Sequence, residues 1–294
     1  MHRLVHVFAF VVLAIVSPPG RAEATTVPWH GSPVLEPGLG RQDVLLFEDF
    51  EQADYPNRWL TWFDSAAGAG LVAGPAPQVF AGRRSAYLQA QAGQHASLGT
   101  GEYVPAAPLE GEAFLRLYLR LDERFSMGTC ARLKLFGINA GASVENTYGG
   151  AGHRPNGQDK FSVTLGIDRA SQLNVYVYHP EQHDGWGDTA YCNGFFCSAG
   201  IDPGRWYCLE LMLKPNTPGR RDGAIKAWLD TEPVIDLDGL RLRDADTVKI
   251  RRFPVMNYFG GSGGWNTSPQ DQRTYVDNLV ISRKRIGCLG AMPR

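Results

Sequence analysis

Ala113–Leu121 reads Ala-Phe-Leu-Arg-Leu-Tyr-Leu-Arg-Leu, with leucine at every second position from Leu115 onward. Because successive side chains of a β-strand point to opposite faces of the sheet, this period of two predicts a strand whose leucines face the core. The opposite face then carries Arg116, Tyr118 and Arg120. The stretch therefore predicts a β-sheet with a polar face that is rich in arginine.

The same alternation recurs along the chain, and turn-forming clusters such as Pro155-Asn156-Gly157 separate the repeats. Seven further strands are predicted: Ala131–Ile138, Lys160–Ile167, Leu173–Tyr178, Trp206–Lys214, Ala224–Asp230, Lys249–Tyr258 and Thr274–Ser282. No stretch shows a sustained helical period, and no linker divides the strands. The pattern predicts an all-β fold, a jelly-roll sandwich of two antiparallel sheets, as one domain over residues 41–290.

The N-terminus has the layout of a secretory signal. Arg3 precedes the apolar run Val7–Val16, and Ala22-Glu23-Ala24 offers a small-residue cleavage site. A membrane anchor needs roughly 20 apolar residues, which is more than this run supplies. Residues 1–24 are thus predicted to be a signal peptide and residues 25–40 an irregular leader, so the protein is expected to be secreted to an extracellular or periplasmic compartment.

The net charge bears on which binding partners are expected, and the cysteine count bears on which disulfides are expected. The formal net charge is −1 with 20% charged residues, which gives no reason to expect nucleic-acid binding; we expect a monomer, with no membrane contact after signal cleavage. The simplest arrangement of the five cysteines in an oxidising compartment is two disulfides and one free thiol, with the pairing left open. The cysteines are Cys130, Cys192, Cys197, Cys208 and Cys288.

Polar residues also share one face of each of the next three predicted strands. They are Arg132 and Lys134, then Ser162 and Thr164, then Asn174, Tyr176 and Tyr178. Taken with the first strand, four consecutive strands offer cations, hydroxyls and aromatic rings without any acidic residue. An ordinary solvated face usually carries charges of both signs, whereas a cationic aromatic face suits an acidic polysaccharide.

Such residues can perform β-elimination on a uronate polymer without a catalytic cofactor. This reaction needs a group that neutralises the carboxylate, a base for the C5 proton and an acid for the leaving oxygen. Arg116, Arg120 or Arg132 could hold the carboxylate, and Lys134, Tyr176 or Tyr178 could be base or acid if neighbouring cations lower their pKa. Tyr118, Thr164, Asn174, His153 and His179 are further candidates for substrate contact.

Other enzyme classes find less support. A retaining glycoside hydrolase needs two carboxylates about 5 Å apart. The nearest string, Glu48-Asp49-Phe50-Glu51, has the character of an edge segment followed by a turn. No Gly-x-Ser-x-Gly nucleophile elbow is present.

Several short motifs resemble one enzyme family. They are Lys134-Leu135-Phe136-Gly137, Phe161-Ser162, Tyr176-Val177-Tyr178, Asn216-Thr217-Pro218-Gly219 with Asp222-Gly223 and Trp228, Phe259-Gly260-Gly261, and Asp277-Asn278. Over residues 110–285 the chain resembles polysaccharide lyase family 14 and the similar glucuronan lyases of family 20. The resemblance implies a concanavalin-like jelly roll that acts on alginate or glucuronan. The Asn-Thr-Pro-Gly to Asp-Gly stretch itself is predicted to be a structural hairpin.

The resemblance also assigns roles by position. The family's catalytic lysine would be Lys134, its serine Ser162, and its tyrosine pair Tyr176 and Tyr178. Thr164 stands where family 14 alginate lyases have an arginine, so another arginine would have to neutralise the carboxylate, or activity is lost. A catalytically silent carbohydrate-binding relative and a secreted adhesion domain are the alternatives. Similar sandwiches hold a structural Ca²⁺, which the resemblance places at Glu48 and Asp277.

Overall fold

The computed structural model describes residues 41–52, 59, 69–74, 77–96, 101–191, 199–261 and 264–288. The signal peptide and leader predicted for residues 1–40 lie outside the described residues, as do Cys192 and Cys197. Within the described ranges, fourteen strands form two sheets, and the strand pairs are antiparallel. The predicted two-sheet, all-β architecture is confirmed.

Eight strands make up the first sheet. They are β1 (Val44–Glu48), β2 (Ala69–Ala73), β3 (Arg84–Ala90), β5 (Ala113–Leu121), β10 (Trp206–Lys214), β11 (Gly223–Leu229), β12 (Glu232–Leu240) and β14 (Gln272–Ser282). Six strands make up the second: β4 (Gly101–Tyr103), β6 (Arg132–Gly141), β7 (Lys160–Asp168), β8 (Leu173–Tyr178), β9 (Asp188–Tyr191) and β13 (Lys249–Gly260). The spatial orders are β12-β11-β10-β5-β14-β3-β2, with β1 on β14, and β4-β13-β6-β7-β8-β9.

The core lies between the two sheets, where the predicted apolar faces meet. Leu115 and Leu117 of β5 pack in one cluster with Leu133 of β6, Val163 of β7 and Val175 of β8, and each is 0% exposed. Burying a side chain of this size stabilises the fold by about 1.5–3 kcal/mol. Among the residues that the structure describes, none belongs to a helix long and apolar enough to cross a membrane.

The prediction that four consecutive strands share one polar face is wrong for the first of them. β5 pairs with β10 and β14 in the first sheet, whereas β6, β7 and β8 are neighbours in the second. Alternation identifies the face of a strand that is polar, but it does not identify the sheet to which the strand belongs. Arg116, Tyr118 and Arg120 therefore lie on the outer face of the opposite sheet.

That outer face is covered by other parts of the chain, so it is not open to a polymer. Arg116 and Tyr118 are 0% exposed and Arg120 is 5% exposed. The ring of Phe80 stacks on Tyr118 with centroids 3.8 Å apart. Glu210, opposite Arg116 on β10, accepts hydrogen bonds from the main-chain N–H groups of residues 286 and 287 at 2.7 and 3.0 Å.

One disulfide fastens this cover. Cys208 of β10 is bonded to Cys288, 80 residues later, which holds the segment after β14 against the first sheet. Closing so long a loop restricts the unfolded chain and stabilises the fold by about 4 kcal/mol. Cys130 is a free thiol, and burial raises its pKa.

The Asn-Thr-Pro-Gly to Asp-Gly stretch is the hairpin between β10 and β11, as predicted. Asp222 accepts hydrogen bonds from the main-chain N–H and the hydroxyl of Thr217 at 2.7 and 2.8 Å. Gly219 has a φ of 76°, which an L side chain rarely adopts. Asn216 donates to Arg243 O at 2.8 Å and thereby fixes the next loop. These residues shape a turn, away from the candidate site.

Candidate functional site

The site is built from side chains on the outward face of the six-stranded sheet. Antiparallel pairing sets Lys134 beside Tyr258 of β13, Thr164 beside Tyr176, and Ser162 beside Tyr178. Since paired residues of neighbouring strands have their Cβ atoms about 4.5–5.5 Å apart, these side chains form one continuous patch. The four residues predicted to be catalytic, Lys134, Ser162, Tyr176 and Tyr178, thus share one surface.

A cavity of about 170 Å³ opens in this patch. Its lining consists of Arg132, Lys134, Ala151, Tyr176, Tyr178, Trp186, Tyr258, Gly260 and Gly261. Among these described residues there are two cations and no carboxylate, so the cavity favours an anionic ligand. Exposed aromatic surface and hydroxyl groups at its wall supply stacking and hydrogen bonds for a sugar.

Lys134 is held between two tyrosine rings. Its Nζ lies 4.9 Å from the ring centroid of Tyr176 and 5.2 Å from that of Tyr258. Burial, and secondarily the charge of Arg132, lower the pKa of Lys134 from 10.5 to about 8. A substantial fraction of this amine is therefore neutral in mildly alkaline solution and can accept a proton.

Arg132 occupies the adjacent position on the same face of β6. Its guanidinium lies 4.1 Å from the ring centroid of Tyr176, and Nη2 donates a hydrogen bond to the hydroxyl of Thr189. Stacking and this hydrogen bond orient the planar group beside Lys134. A guanidinium held in this way is suited to bind a carboxylate through two N–H donors.

The tyrosine pair is fixed by the backbone and by its own contacts. Tyr176 Oη accepts a hydrogen bond from the Gly187 N–H at 2.9 Å and lies 3.4 Å from Tyr178 Oη. The two rings meet edge to face with centroids 5.3 Å apart. Gly187 allows this approach, because a Cβ there would lie 3.1 Å from the Tyr176 ring and 2.7 Å from a main-chain oxygen.

The expectation that neighbouring cations lower the tyrosine pKa values is wrong for Tyr178. Burial, followed by the contact with Tyr176, raises the pKa of Tyr178, and these effects outweigh the charge of Arg132. The phenol stays protonated across the neutral range. Tyr178 can therefore donate a proton, whereas the lowered pKa of Lys134 makes that amine the better proton acceptor of the two.

Four of the residues predicted to contact substrate lie away from the cavity. Arg116, Tyr118 and Arg120 are in the other sheet. His179 follows β8 and pairs with Asp188 at 2.9 Å beside a separate, mostly apolar cavity at the edge of the sandwich. Because residues two apart on an extended chain point to the same side, His179 shares its side with Val177, which also lines that second cavity.

The remaining three predicted contacts have mixed positions. Thr164 is 8% exposed and stands opposite Tyr176 on the outward face of the six-stranded sheet, which is called the catalytic face below because the predicted catalytic residues lie on it. Asn174 is on that face but fully buried, and its amide donates to Gln172 O at 3.3 Å. His153 is exposed in a loop near the cavity, but it does not line the cavity.

The cavity lining includes two aromatic residues that were not among the predicted site residues. Tyr258 precedes Phe259, which is in the core, so extending the alternation of β13 would have placed Tyr258 on the catalytic face. Trp186 is 44% exposed in the loop Gly185-Trp186-Gly187. An exposed tryptophan between two glycines is the sequence signal that could have identified it.

The carboxylates implied as calcium ligands are already engaged. Asp277 Oδ2 accepts hydrogen bonds from the N–H groups of Phe80 and Ala81, both at 3.1 Å, and from Ser85 Oγ at 2.6 Å. Glu48 Oε1 accepts a main-chain N–H at 2.9 Å. No group of three or more His, Cys, Asp and Glu side chains that could hold a metal occurs among the described residues. These side chains do not fit a calcium shell, and the ion stays a prediction that would depend on main-chain oxygens.

Comparisons with known proteins bear on the family and the fold of this chain. The family model described as polysaccharide lyase 14 matches residues 109–279, which is more than half of the chain and includes every residue that lines the cavity. Among curated proteins, none matches this sequence.

Solved structures share the fold at low sequence identity. A marine family 14 alginate lyase from Aplysia kurodai superposes with a TM-score of 0.62 at 19% identity, covering 76% of this chain and 89% of that one. An alginate lyase from Chlorella virus gives 0.61 at 16% identity, covering 82% and 100%. An endo-β-1,4-glucuronan lyase from Trichoderma reesei gives 0.57 at 15% identity, covering 82% and 96%. On the strength of the family match, the chain belongs to the polysaccharide lyase 14 family and is a lyase.

Proposed function

We propose that this lyase cleaves a uronic-acid polymer of the alginate or glucuronan type by β-elimination. The observation that carries the proposal is the placement of Lys134, with its pKa lowered to about 8, beside Arg132 and the tyrosine pair in a cavity whose described lining has no carboxylate. A neutral amine, a fixed guanidinium and a protonated phenol are the three groups that elimination on a uronate requires.

Each group has one role in the proposed reaction. Arg132 binds the sugar carboxylate and stabilises the negative charge that develops when the C5 proton is removed. Lys134 Nζ accepts that proton, and the electron pair of the C5–H bond forms the C4–C5 double bond while the C4–O bond breaks. Tyr178 donates its phenolic proton to the departing oxygen. Exchange with solvent then removes the extra proton from Lys134 and restores that of Tyr178.

Tyr176 and Ser162 support these three groups. Tyr176 packs against Arg132 and Lys134, and its hydroxyl, held by Gly187, faces that of Tyr178. Ser162 stands beside Tyr178 across the strand pair and offers a hydroxyl to the sugar. Arg132 takes over carboxylate neutralisation because Thr164 occupies the position where the family's alginate lyases have arginine.

Export is part of the proposal. The disulfide between Cys208 and Cys288 supports it, because disulfides persist in oxidising compartments. N-terminal sequencing of protein recovered from the periplasm or medium of an expressing cell tests export; we expect the mature chain to begin after Ala24, and retention of residues 1–24 would contradict it.

The reaction is tested by mixing the mature protein with alginate, glucuronan and other uronate polymers. The unsaturated uronate product absorbs in the ultraviolet, so elimination gives a rising absorbance that hydrolysis does not. We expect a rise with at least one polymer and none with Lys134→Ala. A flat trace for the wild type together with measurable polymer binding would identify a silent carbohydrate-binding protein instead.

A further inference from the structure

A further aromatic residue is presented on the same sheet face, apart from the three tyrosines and the tryptophan that line the cavity. Tyr148 follows the 3-10 turn Glu145–Thr147 and is 40% exposed. Its hydroxyl donates to Glu102 Oε2 at 2.6 Å, and the guanidinium of Arg252 lies 3.9 Å from its ring centroid. The ring is thus held at one edge and packed on one face, which leaves the rest of it open to solvent.

The support beneath Tyr148 is rigid. Arg252 Nη1 forms a salt bridge with Glu102 Oε1 at 2.5 Å, and Arg252 Nη2 donates to Thr147 O at 2.8 Å. Burial, and then the hydrogen bond to Glu102, raise the pKa of Tyr148, so its hydroxyl remains a donor at neutral pH. An aromatic ring fixed in this way loses little conformational freedom when a ligand stacks on it.

Strand pairing connects this ring to the proposed catalytic groups. Arg252 of β13 pairs with Asn139 of β6, Asn139 with Ser162 of β7, and Ser162 with Tyr178 of β8. Neighbouring strands are about 4.8 Å apart, so the row from Arg252 to Tyr178 spans about 14 Å across the same face. A polymer that lies across the strands can therefore reach both ends of the row.

The surface between Tyr148 and the proposed catalytic cavity has small side chains and one cation. Residues 149–152 are three glycines and one alanine, so little side-chain bulk separates Tyr148 from Tyr178. A Cβ at Gly150 would lie 3.9 Å from both Lys160 Nζ and the Tyr178 ring.

Lys160 supplies the charge of this segment. Its Nζ donates to Tyr148 O at 3.0 Å, and it forms no ion pair with a carboxylate among the described residues. Because Glu102 is already paired with Arg252, Lys160 leaves this part of the face with an unneutralised positive charge next to an exposed ring.

We infer that Tyr148 and Lys160 form a second sugar-binding subsite, which takes a uronate residue of the polymer away from the scissile bond. The Tyr148 ring stacks on a sugar face, and the Lys160 ammonium meets the carboxylate of that sugar. The inference rests on the proposed function for the identity of the polymer. Its consequence is that chains long enough to fill both sites bind more tightly than chains that fill only the catalytic cavity.

The test compares Tyr148→Ala and Tyr148→Phe with a matched control, Tyr87→Ala. Tyr87 of β3 also stacks with an arginine, Arg273 at 4.2 Å, but it lies on the other sheet. Steady-state kinetics are measured on the polymer and on oligosaccharides of increasing length. For Tyr148→Ala we expect KM for the polymer to rise about tenfold, on the scale of a lost aromatic contact, with kcat unchanged.

The length dependence and the phenylalanine variant separate stacking from a structural role. Stacking predicts that the shortest cleaved oligosaccharide keeps its KM in Tyr148→Ala, and that Tyr148→Phe and Tyr87→Ala resemble the wild type. Lys160→Met should raise KM for the polymer, with a smaller effect at high salt. Equal losses for short and long substrates, or equal losses in the phenylalanine and alanine variants, would assign Tyr148 to loop support and overturn the subsite.

Affinity measurements keep the subsite separate from the lyase reaction. If the wild type binds a uronate polymer in gel-retardation assays without cleaving it, the proposed reaction fails, and weaker binding by Tyr148→Ala than by Tyr87→Ala still supports the subsite. If the wild type neither cleaves nor binds any uronate polymer, both proposals are overturned.

Discussion

Two sheet faces of this molecule carry the same alternation of cations and tyrosines, yet one is buried and the other lines a cavity. On β5, Arg116 and Tyr118 lie beneath Phe80 and the segment that Cys288 ties to β10. On β6 and β8, Lys134 and Tyr176 line a cavity of about 170 Å³. The pattern of a strand therefore predicts which side chains share a face, whereas the rest of the chain determines whether a ligand can reach them.

The difference arises from the connecting segments. Next to the first sheet, Trp206 Nε1 donates to Pro77 O at 2.9 Å, and two main-chain N–H groups near Ile286 donate to Glu210, so both covering segments are fastened over the face. Next to the second sheet, the segments around Ala151 and Trp186 contact each other beside the cavity. A Cβ at Gly185 would lie only 2.7 Å from Gly152 O, so the glycine lets these two loops pack at the rim.

Removing a proposed proton-transfer group from the open face should cost most of the activity. Lys134→Ala should lower kcat at least ~100-fold, and Tyr178→Phe should do the same, because each removes a group that the proposed reaction uses for proton transfer. Product formation followed by ultraviolet absorbance measures the loss, and the melting temperature checks folding. Lys226→Ala, which removes a surface lysine paired with Asp236, is the control that should leave kcat unchanged. Rates like those of the wild type in both catalytic variants would refute the assignment.

The next effect concerns stability on the covered face. Arg116→Met keeps the approximate volume but removes a buried cation that packs on the Tyr118 ring and whose charge favours the buried carboxylate of Glu210, so it should cost about 1–3 kcal/mol in the free energy of unfolding. Denaturant unfolding measures this cost. The kcat of the folded variant should match the wild type, whereas Arg132→Met should lose activity at nearly normal stability. The reverse outcome would show that the buried face carries the function.

Sequence could predict the strands and their core faces because these depend on local alternation. The bounds of β5, β8 and β10 agree with the pattern. β13 ends two residues later than predicted, and β6 begins one residue later and ends three residues later. Six strands were not predicted. Four of them, β1, β2, β4 and β9, have only three to five residues, which carry little periodicity, whereas β3 and β12 have seven and nine residues and were missed in spite of their length.

The assignment of strands to sheets could not be predicted from alternation alone. It depends on pairings such as Tyr118 with Asp277, which join residues far apart in the chain. For the same reason the environment of Tyr178 could not be predicted: its pKa depends on burial by the folded chain and on Tyr176, not on the number of nearby arginines in the sequence.

The proposed role of Lys134 also predicts how kcat/KM depends on pH. Because the neutral amine is the proposed base, kcat/KM should rise about tenfold per pH unit below the Lys134 pKa of about 8 and level off above it. The charge of Arg132 contributes to lowering that pKa, so Arg132→Met should move the rising limb to higher pH. A profile that stays flat across about two pH units around neutrality would exclude Lys134 as the base.

A double variant tests whether Arg132 binds the substrate carboxylate in place of the arginine that family 14 alginate lyases have at the position of Thr164. Thr164 stands opposite Tyr176 on the neighbouring strand, and the Arg132 guanidinium lies over the same tyrosine ring, so a guanidinium from either position can reach the same region. Thr164→Arg in the Arg132→Met background should recover roughly tenfold of the lost kcat/KM, about 1.4 kcal/mol, because it returns one carboxylate-binding cation. Thr164→Lys is the matched control, since an ammonium restores the charge but not the two-pronged hydrogen bonding, and it should recover less. No recovery with arginine, while the variants keep the wild-type melting temperature, would mean that Arg132 serves Lys134 and Tyr176 rather than the substrate carboxylate.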